Sequence, residues 1–509
     1  MSRFNRLPPT PRVSAAALAT TAVAAAVSAP LANPPSAASK PARETPAAPA
    51  NRTSRFAAPV EKVSAVQSLG FYIILAYVFA RFSLMSEILT FGLGFNIYLI
   101  VVVGSLAAFA TAVTGGFRRF LLAPPAYFLV GFMLWLVATI PFSTWRGGSF
   151  GLLKTSFMTD FSMFFMIVAL TLTWRQCVLL MNAIAIGGAI DFIATRIYGG
   201  SEDGRLIMSF GTLGNPNDLA THLLIALPFC VLLLLNHKSM VVRPLALAAA
   251  IAMLYAIIQT GSRAALLSVG VCVIYAFFRG TATQKFGLAA GGALVILLTL
   301  AFQPASVLLR YASIFSNNVQ VEAANATDYE YAVGSEAARK QLLIDSIMTT
   351  LANPLFGVGP GNYASADADK KNGAGQTATW QVTHNSYTQV SAESGVPGFI
   401  LFAGLIISTF TMVASTYRHT RKHPQLRYIS NTAFILLLTL AGFGVNIFFS
   451  ALAYTYYLPT LAAISIVVCT LAKQELRRFE ASNVMSYSVP GSVRAPSMQM
   501  AVQRSALPT

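Results

Sequence analysis

The residue best suited to move a proton in this sequence is a histidine, and those best suited to hold an anion are arginines. Of five histidines, His384 stands in Thr383-His384-Asn385-Ser386-Tyr387, within a polar stretch between two apolar runs. A neutral imidazole takes a proton from a hydroxyl near pH 7. His237, His419 and His423 fall in short basic loops, and His222 falls inside an apolar run. Arg263, in Thr260-Gly-Ser-Arg263, Arg339 and Arg205 lie on the same side as His384. A guanidinium offers planar, bidentate donors to a phosphate oxygen pair. The ordinary alternatives are a snorkelling interfacial residue for Arg263 and a solvated residue for Arg339 and Arg205.

The acidic pair Asp367-Ala-Asp369 has the look of a metal-holding motif. It is followed at once by Lys370 and Lys371, which neutralise it, so no metal site is expected. The run Leu355-Phe-Gly-Val-Gly-Pro-Gly-Asn-Tyr363 is rich in glycine but lacks the Lys-Ser/Thr of a phosphate loop, and is read as a tight turn. The four cysteines, Cys177, Cys230, Cys272 and Cys469, lie in or beside apolar runs without metal-ligand spacing. They are expected to pack.

These residues need a frame. The chain is 55% hydrophobic and 10% charged, against about 25% charged in soluble domains. Long apolar runs recur near 67–82, 89–112, 121–141, 153–173, 177–195, 217–236, 243–260, 263–279, 286–304, 397–416, 430–449 and 452–471. Runs of this kind cross membranes. The expected fold is therefore all-α: a polytopic transmembrane helical bundle of about 12 spans, with one large extracytoplasmic loop between spans 9 and 10. The divisions are a disordered cytoplasmic tail over 1–66, spans 1–9 over 67–304, a periplasmic loop over 305–396 and spans 10–12 over 397–472. A disordered cytoplasmic tail follows over 473–509.

The formal charge of +17 suggests orientation rather than nucleic acid, because no aromatic-basic cluster accompanies it. With a cytoplasmic N-terminus, inside segments hold 24 of the 35 Lys and Arg and outside segments hold 11. That bias puts the large loop outside. Within the loop, Ala337, Leu342, Leu343, Ile347 and Leu351 recur at helical spacing up to the stop at Asn353-Pro354. Gly395 is placed to end a short helix and Pro397 to open the next span.

The sequence resembles the O-antigen ligase superfamily, which includes related polysaccharide polymerases. His384-Asn385, nine residues, then Gly395-Val-Pro-Gly398 matches the family hallmark. Gly214-Asn-Pro-Asn217, Gly261-Ser-Arg263 and Arg339 ahead of Pro354-Leu-Phe-Gly357 follow in the family's order. The resemblance spans roughly residues 205–450. It implies an enzyme that passes a glycan from a polyprenyl-diphosphate carrier to a glycan or lipid A-core acceptor. It implies the outer face of a bacterial inner membrane, with no metal, cofactor or nucleotide sugar. The essential His and two Arg of the family map onto His384, Arg263 and Arg339. Asn385, Tyr387, Glu393, Arg205, Asn215 and Asn217 are expected at the substrate. Gly357, Gly359, Gly395, Pro397 and Gly398 are expected to shape the backbone. A transporter or flippase of lipid-linked saccharides is the competing class, although no internal repeat marks one.

Overall fold

The computed structural model describes residues 64–92, 94, 98–116, 123–202, 204–280, 282–303, 307–308, 311, 326–375 and 380–487. The expected N-terminal tail lies outside the described residues as far as 63. So do the loop stretch 312–325 and the chain beyond 487.

The protein is a multi-pass membrane protein built as a helical bundle. Among the described residues, nine helices are long and apolar enough to cross a membrane. In chain order the helices are α1 (Ala65–Phe82), α2 (Tyr98–Gly116), α3 (Pro124–Thr139), α4 (Arg146–Leu170) and α5 (Trp174–Ile197). Next come α6 (Pro216–Asn236), α7 (Val242–Gln259), α8 (Arg263–Arg279) and α9 (Ala282–Phe302). Then follow α10 (Ala326–Ala352), α11 (Tyr363–Gly373), α12 (Ser386–Thr420), α13 (Arg427–Asn446) and α14 (Tyr457–Tyr487). Each of the expected apolar runs thus contains a helix. Of these, α2, α8 and α9 stand outside the nine.

Local signals fix the helix starts. Ser64 and Gln67 form a reciprocal capping box at α1, and Thr173 and Gln176 form another at α5. Asn215 caps α6, with Pro216 in its first turn.

Three features depart from the expected plan. A hairpin of β1 (Gly199–Glu202) and β2 (Arg205–Met208) interrupts the all-α pattern, pairing Glu202 with Arg205. Gly204, at φ +73°, supplies the positive φ its turn requires. Helix α14 continues to Tyr487, so the tail expected to be disordered from 473 begins as helix. The apolar set in α10 also divides. Leu342 is buried, whereas Ile347 is 44% and Leu351 67% exposed. Ser346 and Thr349, both buried, lie on the inward face instead.

Helix α12 packs on α3, α13 and α14, and α10 packs on α12. A second polar centre lies deep between α1, α5, α6 and the start of α14. His222 Nε2 lies 2.8 Å from Asp191 Oδ2 and 3.1 Å from the Phe82 carbonyl. Its Nδ1 meets the Tyr457 hydroxyl at 3.0 Å and the Tyr456 hydroxyl at 3.3 Å. Asp191 and His222 are both fully buried. Arg81 stacks over the Tyr456 ring at 4.4 Å and pairs with Asp160 at 2.9 Å.

Candidate functional site

Arg263 opens α8, directly after its cap. Ser262 Oγ accepts the Ala265 N–H, and Gly261 takes φ +60° to make the preceding turn. Arg205 braces that turn from β2: its Nε donates to the Thr260 carbonyl at 2.7 Å and its second nitrogen donates to Asn217 Oδ1 at 3.0 Å. Asn215 Oδ1 accepts the Asn217 N–H at 2.8 Å.

Arg339 sits on α10, which is held in place from below. Leu342 packs with Tyr363 and Ala392 in a small apolar cluster. The Thr350 and Ser391 hydroxyls lie 2.9 Å apart. Lys371 of α11 reaches Asp345 at 3.1 Å and Asp367 at 2.6 Å, which holds its ammonium above the usual lysine range. Asp367 is thus engaged by a lysine. Among the described residues, no group of three or more His, Cys, Asp or Glu is arranged to hold a metal ion.

His384 ends the segment that leads into α12. Its φ is +49°, the left-handed region that few side chains adopt. The residues on both sides are anchored. Thr383 Oγ1 donates to the Asn385 carbonyl at 3.0 Å. Asn385 Oδ1 caps α12 by accepting the Tyr387 and Thr388 N–H groups. Ser386 donates its N–H to the Ile447 carbonyl at 2.8 Å and its hydroxyl to the Ser450 carbonyl at 2.6 Å. A backbone fixed this firmly can sustain an uncommon conformation.

The three groups line one cavity of about 710 Å³. Arg263 enters from α8, Arg339 from α10 and His384 from the approach to α12, although 121 residues separate the first from the last (384 − 263). Leu267 and Ile274 of α8 also line it and are half or more exposed, so the cavity opens along the outer face of that helix. Among the described lining residues the cations are Arg263, Arg339 and Lys340, and none is an Asp or Glu. Burial, followed by the nearby Arg339 cation, lowers the His384 pKa from its usual value of 6.5. The imidazole is therefore neutral and able to accept a proton near pH 7.

The structure separates the other expected residues. Asn385 touches the cavity, but its side-chain oxygen serves the helix cap. Tyr387, Glu393, Arg205, Asn215 and Asn217 lie outside the described lining. Tyr387 donates to the Gly444 carbonyl. Glu393 is 3% exposed, and its carboxylate accepts the Gly361 N–H at 2.9 Å and the Tyr363 N–H at 3.3 Å. These contacts tie elements together rather than face the cavity.

The glycine turn serves the same fastening. Val358 and Gly359 donate to the Ala392 and Glu393 carbonyls. Gly357, at φ +65°, and Gly395, at φ +73° and ψ −177°, bring their backbones too close for a side chain on either. Gly359 lies against Ser143, and Gly398 against Ser394 and Trp135. Pro397 falls just past the break at Gly395. Lys340, Thr383 and the Phe448–Phe449 pair line the cavity without having been expected there. Lys340 and Thr383 had a signal, their places beside Arg339 and His384.

Residues 248–403 match the family model described as O-Antigen ligase. The matched segment contains Arg263, Arg339 and His384, while Arg205, Asn215 and Asn217 precede it. The match supports the resemblance to the O-antigen ligase superfamily over those residues. No curated protein matches the chain.

Proposed function

We propose that this O-antigen ligase-type protein moves a glycan from a polyprenyl-diphosphate carrier onto an acceptor hydroxyl of a glycan or of lipid A-core. The reaction would run on the outer face of a bacterial inner membrane, within a bundle of twelve spans with both termini inside. The carrying observation is one cavity that gathers Arg263, Arg339 and His384 beside an apolar helix face, with burial and Arg339 lowering the His384 pKa.

The chemistry follows from these groups. The acceptor oxygen attacks the anomeric carbon as His384 removes its proton. The bond from that carbon to the diphosphate oxygen breaks, and the diphosphate leaves with the electron pair. Attack opposite the leaving group inverts the anomeric centre. Arg263 and Arg339 hold the growing charge by bidentate contacts in a partly dry site. A diphosphate is already a stable anion, so it departs with little help from an acid, and the step uses no divalent metal. The polyprenyl tail lies along the exposed side of α8, near Leu267 and Ile274.

The test is transfer by purified protein in liposomes supplied with a carrier-linked glycan and an acceptor, with and without a chelator. Product with an inverted linkage, formed equally in chelator, is expected. Activity that is lost on chelation and restored by metal overturns the mechanism.

A further inference from the structure

Three cations are among the described lining residues, and the transferase reading accounts for two of them. A glycosyl polyprenyl diphosphate is a diester, with a single ionised oxygen on each phosphate. In the bound donor Arg263 and Arg339 match those two charges one for one, before a further charge develops on the leaving diphosphate. Lys340 also lines the cavity, with no carboxylate among the described lining residues to balance it. The next two lysines of the same loop differ: Lys371 is taken up by Asp345 and Asp367, and Lys370 is exposed outside the lining.

Arg339 and Lys340 are neighbours on one helix, so their side chains leave the axis roughly 100° apart. Their surroundings differ accordingly. Arg339 is half-buried and close enough to His384 to lower its pKa, whereas Lys340 is exposed. Arg339 is therefore the more enclosed of the two and Lys340 the more open to solvent. The cavity, at about 710 Å³, has to take a second reactant beside the carrier headgroup. Lys340, exposed and in the lining, is placed to meet that reactant.

We propose that Lys340 is a specificity residue for the acceptor, reading a phosphate or carboxylate carried on the acceptor sugar near its reacting hydroxyl. This rests on the transferase reading above and adds the substrate class: an anionic acceptor, bound at a second anion subsite distinct from that of the diphosphate. An ammonium is a compact point charge that tolerates several approach angles. It suits a ligand that must be held loosely enough to be released after each transfer.

The experiment measures binding to the purified full-length protein in nanodiscs, using inorganic pyrophosphate, glucose 6-phosphate and uncharged glucose as probes. Glucose 6-phosphate is expected to bind protein already saturated with pyrophosphate, and more tightly than glucose does. Lys340→Ala should weaken glucose 6-phosphate about tenfold, the scale of one charge-assisted contact. Pyrophosphate affinity should stay within about twofold, and Lys340→Arg should restore much of the sugar-phosphate affinity. Arg263→Lys should show the reverse pattern. Displacement of glucose 6-phosphate by pyrophosphate, with Lys340→Ala weakening both, assigns Lys340 to the diphosphate and overturns the proposal. So does a sugar phosphate that binds no better than glucose while pyrophosphate binds well. Failure of pyrophosphate itself to bind instead sinks the transferase reading on which the proposal stands.

Discussion

Two histidines of this protein sit in opposite kinds of surroundings. His222 is sealed between helices, with Asp191 on one ring nitrogen and two tyrosine hydroxyls on the other. Every polar atom of its ring has a partner, and no solvent reaches it. His384 is half-buried at the wall of a cavity, beside a cation, on a backbone with positive φ. The first arrangement closes a packing problem: an ionisable pair inside a membrane bundle persists only when it is matched. The second leaves a basic nitrogen facing space that a ligand can fill. An Asp–His pair is often read as catalytic, yet here access to a cavity and a neighbouring charge favour the other histidine as the proposed base.

The contrast breaks most sharply under alanine. His384→Ala should lower turnover by about 10²–10⁴, the worth of a positioned base, with normal amounts of folded protein in the membrane. His222→Ala should do the opposite. It strands Asp191 in a dry interior, at a cost of about 3–5 kcal/mol, so folded yield and thermal midpoint fall while each surviving molecule turns over. Equal effects of the two variants on both readouts erase the distinction.

Arg263→Lys and Arg339→Lys come next. Each keeps the charge and loses the bidentate fork, and each should cost on the order of 10² in kcat/KM, comparable with removing one fixed donor to a developing anion. Near-wild-type transfer by either lysine variant would reduce the pair to a diffuse positive field.

A smaller effect sharpens the electrostatic half of the comparison. The His384 pKa is lowered, so activity should fall on acidification only below the usual histidine range and stay level above it. Arg339→Gln removes a cation that contributes to the lowering, and the acid limb of its remaining activity should move to higher pH. Arg339→Lys should leave the limb nearly in place. An unmoved limb in the glutamine variant separates Arg339 from the base. The smallest effect belongs to the loop brace: Lys371→Ala frees Asp345 and Asp367 and should cost about 1 kcal/mol of stability, read as a modest drop in thermal midpoint.

The sequence made some of this visible and hid the rest for physical reasons. Apolar runs disclose helices because lipid demands them over a long stretch. Arg263 and Arg339 could be singled out because each is an exception to the charge bias around it, and His384 by its motif and by elimination among five histidines. The expected substrate contacts were harder. Asn385, Glu393, Arg205 and Asn217 are the right chemical types, but a polar side chain can face a ligand or a backbone amide, and spacing does not say which. In the structure Asn385 caps a helix and Glu393 binds two N–H groups of the glycine turn. The Asp191–His222 pair was equally hidden, because its members lie on different helices, each inside an apolar run. The helical start of the C-terminal tail, through Tyr487, escaped because its polar residues resemble a solvated linker.

The most direct test of the cavity's role is a density map of the protein with a polyprenyl-diphosphate-linked glycan bound. The diphosphate is expected between the Arg263 and Arg339 guanidinium groups, at hydrogen-bonding distances of about 2.7–2.9 Å, with the prenyl chain along α8 and His384 facing the glycan end. A headgroup seated elsewhere, with Arg263 and Arg339 both turned away from it, would contradict the account.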